Sequence, residues 1–180
     1  MKKSVIAIFM LVFVLLIGCG KPVQTNEGNN DVNGNVQTED ETAGKSAVVY
    51  TNTQYGFNFS LPDSWKGYTI VDETWEGAAT GESDGEKIVE NGPLISIRHP
   101  QWTAEKPRQD IPIMVFTTEQ WNSLLEGKFH IGAAPIDPSE LGRNNSYVFA
   151  LPARYNYSFP EGYEEVEEIL KGNPLQPINK

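Results

Sequence analysis

Tyr50-Thr51-Asn52-Thr53-Gln54-Tyr55-Gly56-Phe57-Asn58-Phe59-Ser60-Leu61-Pro62-Asp63-Ser64-Trp65 is the stretch on which the fold turns. Phe57, Phe59 and Leu61 alternate with Asn58 and Ser60, the period of a strand with one apolar face. Val48-Val49-Tyr50-Thr51 is a similar run just ahead of it. Asn52 to Gly56, between the two, supplies the residue types that turns favour. Pro62 has no N–H to donate to a ladder and stops the second strand. The stretch therefore predicts an antiparallel hairpin with aromatic residues on its buried face, and Trp65 packed over the sheet's edge.

Working outward, Tyr68 to Val71 and the alternation through Trp75 predict a third strand. Gly77 to Gly92, rich in Gly and acid, reads as a long exposed hairpin loop. Leu94 to Arg98 returns as a strand with Ile95 and Ile97 on one face. Ile111 to Phe116 is a buried strand, and Phe129 to Ala134 and Tyr147 to Leu151 are two more. A helix capped by Thr117 or Thr118 runs to about Glu126, with Trp121, Leu124 and Leu125 on one face. A second helix, Glu161 to Lys171, carries Tyr163, Val166, Ile169 and Leu170 as its apolar stripe, and Gly172-Asn173-Pro174 ends it. Many strands broken by only two helices predict an α/β fold of the α+β kind. Its form is a curved, mainly antiparallel sheet with helices packed against it.

The chain has 180 residues, and residues 48–180 make one domain. All four Trp and all seven Tyr lie there. Residues 20–47 contain no aromatic residue and no Leu, Ile or Met, too little apolar surface to offset the entropy of ordering, so a disordered tether is predicted. As a flexible coil it would span about 30 Å. Ahead of it stand Lys2 and Lys3, an uncharged apolar run from Ser4 to Gly18, and the single cysteine, Cys19. Those are the parts of an export signal.

Leu16-Ile17-Gly18-Cys19 resembles the lipobox of bacterial lipoproteins. The resemblance implies that residues 1–18 are a signal peptide, and that Cys19 carries a diacylglyceryl group and begins the mature chain. It also implies a protein held by its lipid on the extracytoplasmic face of a bacterial membrane. Two or more acyl chains give stable attachment where one does not. With the only cysteine capped by lipid, no disulfide, thiol chemistry or Cys-ligated metal is expected in the domain.

Charge narrows the partners. Lys and Arg number 14 against 24 Asp and Glu, a net charge of −10. Without Lys2 and Lys3, 12 basic residues face 24 acidic ones, a net charge of −12. Nucleic acid requires a basic surface, so it is not an expected partner. Close contact between the domain and anionic lipid is disfavoured too.

Tyr50, Tyr55-Gly56-Phe57, Phe59, Leu61-Pro62 and Ser64-Trp65 together resemble the first hairpin of PsbP-like domains. That family of α/β/α sandwiches occurs in photosystem accessory proteins and in many bacterial lipoproteins. The resemblance implies a binding or assembly role without catalysis, here for an envelope protein.

The remaining chemistry is sparse. Ser96, His99 and Asp110 could supply a nucleophile, a base and an acid, and they carry the alternative of a hydrolase acting on an envelope component. No Gly-x-Ser-x-Gly elbow accompanies them. Glu82, Asp84 and Glu86 offer hard oxygen ligands, but Lys87 and Pro93 stand where a calcium loop needs Gly and Glu. No metal or cofactor is therefore expected, and a small-ligand or metal receptor is the weakest alternative. The segment from His99 to Asp110 is the candidate recognition loop, with His99, Trp102, Arg108 and Asp110 as its site residues. It joins an aromatic and basic side chains to two prolines that limit its flexibility. The expected function is that of a non-enzymatic, membrane-anchored accessory.

Overall fold

A computed structural model describes residues 48–81, 87–133 and 136–179. The signal segment, Cys19 and the tether lie outside the described residues, as do Glu82, Asp84 and Glu86. In chain order the elements are β1 (Val48–Asn52), β2 (Phe57–Leu61), β3 (Thr69–Ala79), β4 (Ile88–Arg98), β5 (Ile111–Thr117), α1 (Thr118–Leu125), β6 (Phe129–Ile131), β7 (Ser139–Arg143), β8 (Tyr147–Leu151), α2 (Tyr163–Lys171) and β9 (Leu175–Pro177). The fold is α+β, and every pairing between these strands is antiparallel.

The opening hairpin forms as its alternation requires, with Tyr50 opposite Phe59. The strands divide between two sheets where a single curved sheet was expected. One has the order β1-β2-β9 and the other β6-β3-β4-β5-β8-β7. The division follows from residues 62–67. Pro62 ends the ladder, Asp63–Trp65 make one 3₁₀ turn, and Gly67 takes φ +90°, so the chain leaves the first sheet before β3 begins.

Each face of the six-stranded sheet has its own core. On one face Ile95, Ile97, Ile111, Ile113, Val115 and Phe149 meet Phe57, Phe59 and Leu61 of the smaller sheet and Val166 of α2. Trp65, 1 % exposed, belongs to this core. On the other face Trp75, Met114, Phe116, Phe129 and Val148 are covered by Trp121 and Leu124 of α1. Burying one such side chain contributes about 1.5–3 kcal/mol. Alternation along β4 and β5 serves both cores at once.

Both ends of the expected loop from Gly77 to Gly92 are strand. β3 continues to Ala79 and β4 starts at Ile88, with Gly77 opposite Glu90 and Trp75 opposite Gly92. These glycines make room for aromatic rings, since a Cβ on Gly77 would lie 2.4 Å from the Phe129 ring. Composition alone mimics a turn there because a strand glycine that receives a ring looks like punctuation.

α1 carries a reciprocal cap, Gln120 N–H donating to Thr117 Oγ1 and Thr117 N–H to Gln120 Oε1, each at 3.1 Å. Leu125, expected on its apolar face, is 61 % exposed. It sits one residue beyond Leu124, a rotation of about 100° that carries it off the core. The expected strand from Phe129 to Ala134 ends at Ile131, where Gly132 takes φ +60°. Gly142 and Arg143 close β7, and the turn to β8 is made by the next three residues.

Candidate functional site

The His99–Asp110 segment joins β4 to β5, and its base is set by strand register. Ile97 stands opposite Ile111, and one step further places Arg98 beside Asp110. Arg98 donates from Nε and Nη2 to Asp110 Oδ2 at 3.0 and 2.7 Å. The same guanidinium lies 4.0 Å from the centre of the Trp102 ring, a cation–π contact. Trp102 is half-buried, and its N–H donates to the His99 carbonyl at 3.0 Å. At the tip, the Thr103 and Lys106 backbones exchange hydrogen bonds of 3.2 Å. Thr103 Oγ1 also accepts the Lys106 N–H at 3.0 Å. The segment is closed on itself and braced at its base.

Its other end is held by Glu161, just ahead of α2, and by Glu165 within that helix. Arg108 Nη1 donates to Glu161 Oε1 at 2.6 Å, and Nη2 lies 3.7 Å from Glu165 Oε2. Gln109 N–H donates to the Glu161 carbonyl at 2.8 Å. Gly162, at φ +83°, lets the guanidinium approach, since a Cβ there would come within 2.9 Å of Arg108 Nη2. The Arg108 side chain is 16 % exposed against 28 % for Arg98, so Arg98 is the more accessible cation.

His99 is buried beneath the segment. Its ring meets the Trp65 indole edge-on at 5.0 Å, and Nδ1 accepts the Gln101 N–H at 3.1 Å. Burial, then the nearby Arg108 charge, holds its pKa below the ordinary histidine value, although Glu161 and Glu165 pull the other way. Trp65 Nε1, Arg108 Nε and Gln109 Oε1 are buried without a protein partner.

Of the four sequence-predicted residues, Trp102 and Asp110 come together around Arg98, while His99 and Arg108 sit on the α2 side. Ser96 Oγ lies 3.5 Å from Glu73 Oε2, His99 Nδ1 is turned to Gln101, and Asp110 is taken by Arg98. A base must reach the proton it abstracts, and each of these groups is directed to a different neighbour. Among the described residues, no three His, Cys, Asp or Glu side chains come close enough to hold a metal ion.

Sequence reasoning missed Arg98 and Glu161. Arg98 was within reach: the register that pairs 97 with 111 pairs 98 with 110, and the two charges are opposite. Glu161 was not, because its partner lies 53 residues away. No family model, curated protein or solved structure matches the chain.

Proposed function

We propose that this chain is a lipid-anchored, extracytoplasmic binding module that recruits an envelope protein without catalysing a reaction. The lipobox-like Leu16-Ile17-Gly18-Cys19 supports the location, and the tether of residues 20–47 supports reach beyond the membrane. The likeness of residues 50–65 to PsbP-like domains supports an accessory role.

The observation that carries the reading is the Arg98–Trp102–Asp110 arrangement. It presents an aromatic ring and a cation on a segment already ordered by hydrogen bonds. Aromatic residues and Arg dominate binding energy at protein interfaces, and a pre-ordered loop avoids most of the entropy cost of docking. Cross-linking in intact cells tests it. The wild-type chain and His99→Gln should recover the same envelope protein, and Arg98→Ala/Trp102→Ala should lose it. Recovery unchanged in the double variant would contradict the proposal.

A further inference from the structure

Away from the His99–Asp110 segment, Tyr55 lies between two polar clefts. One, of about 200 Å³, is lined by Gln54, Asn145 and Tyr147 among others. The second, of about 430 Å³, lies where the β1–β2 turn meets β3 and β4, and Asp72, Thr74 and Asn91 line it. Gln54 and Tyr55 belong to both, so the two form one groove divided by a tyrosine.

The dividing wall is rigid. Tyr55 N–H donates to Asn52 Oδ1 at 2.9 Å, and Gly56 N–H to the Asn52 carbonyl at 3.0 Å. From the other side, Asn144 Nδ2 donates to the carbonyls of Tyr55, Gly56 and Ile178 at 2.8, 3.0 and 3.3 Å. Asn144 Oδ1 accepts the N–H groups of Ser146 and Tyr147, both at 2.9 Å. Tyr55 and Tyr147 meet edge to face with ring centres 5.3 Å apart. The larger cleft falls within the range of about 300–1,000 Å³ typical of small-molecule sites. A ligand would find both walls already placed.

The lining selects a chemistry. Among the described residues, no Lys or Arg lines either cleft, and Asp72 and Glu73 border the second. An anion would meet carboxylates without a counter-charge. Asp72, Thr74, Asn91 and Asn145 are exposed. Their carboxylate, hydroxyl and amide groups match neighbouring hydroxyls, which both donate and accept. A tyrosine ring offers an apolar surface to the C–H face of a sugar. Two clefts that share Tyr55 fit a chain of such units better than one. We propose that this groove binds a neutral oligosaccharide, with sugar units on either side of Tyr55. The clefts share no lining residue with the Arg98–Trp102–Asp110 arrangement, and binding there does not require it.

Titration calorimetry on the intact chain, in a detergent that is not a glycoside, tests this. The ligands are N-acetylglucosamine tetramer, cellotetraose and, as an anionic chain of equal length, tetragalacturonate. At least one neutral tetramer should bind saturably with Kd of about 1 mM or tighter, and tetragalacturonate at least about tenfold more weakly. Tyr55→Ala should weaken the neutral ligand at least about tenfold. Because that change also touches the core, Thr74→Ala/Asn91→Ala, on exposed positions, should weaken it with the melting temperature unchanged. Trp102→Ala should bind as the wild type does. Absence of binding by both neutral tetramers, equal binding of tetragalacturonate, or wild-type affinity in the Thr74/Asn91 variant would overturn the proposal.

Discussion

Trp75 lies over Gly92: a Cβ on residue 92 would stand 2.7 Å from the indole. The ring is held in place, because Nε1 donates to the Val115 carbonyl at 2.9 Å and the indole stacks on Phe116 at 4.4 Å between centres. Gly92→Ala should therefore cost about 1–3 kcal/mol, the range of overpacked cores. Urea unfolding followed by circular dichroism checks this, and a midpoint equal to the parent's would contradict the placement of β3 against β4.

Trp65 sits in the larger core at 1 % exposure, while Tyr157 is 75 % exposed on the loop ahead of α2. Trp65→Ala should cost about 3–5 kcal/mol. Tyr157→Ala should stay within about 0.5 kcal/mol of the parent. The same unfolding measurement separates the two.

How far the chain could be read follows from which signals are local. The β1–β2 hairpin, the Thr117 cap and the α2 stripe depend on residues within a turn or two of one another, and each was legible. One strand of each sheet, β9 in the smaller and β7 in the larger, was not. β9 is only Leu175–Pro177, and β7 is Ser139–Arg143 with no buried residue, so neither shows a strand's alternation. The extension of β3 and β4 through Gly77 and Gly92 was hidden because the rings that fill those positions are distant in sequence. For the site, Trp102 and Asp110 could be singled out, but the Arg98 that joins them needed the register.

The cation–π contact gives a spectroscopic prediction. Trp65, Trp75 and Trp121 are buried, and Trp102 is half-buried beside Arg98. Arg98→Ala should raise acrylamide quenching of tryptophan fluorescence and shift emission to the red. Stability should fall by only about 0.5–1 kcal/mol, since the Arg98–Asp110 pair is partly exposed. Quenching identical to the parent's would place Trp102 elsewhere.

His99 sets a pH dependence. Burial and Arg108 lower its pKa in the fold, so the unfolded chain binds the extra proton first as pH drops below about 6.5. Its effect is absent above that value, and stability falls as pH descends toward the folded-state pKa. His99→Gln, which cannot gain that proton, should lose less melting temperature between pH 7 and pH 5 than the parent. Parallel curves would show that His99 does not titrate in this window.

The proposed lipid attachment rests on Cys19. Cys19→Ala should abolish incorporation of labelled palmitate and leave precursor or shed protein. Equal labelling of mutant and parent would remove the anchor.

The most direct measurement is the affinity of the intact chain for the envelope protein it is proposed to capture, compared across two variants. Arg98→Ala/Trp102→Ala should weaken binding at least about tenfold, which is 1.4 kcal/mol. His99→Gln should leave both affinity and biological role intact. If His99→Gln abolished the role while affinity and melting temperature kept parental values, the chain would be doing chemistry through a proton-transfer group and would not be a binding module.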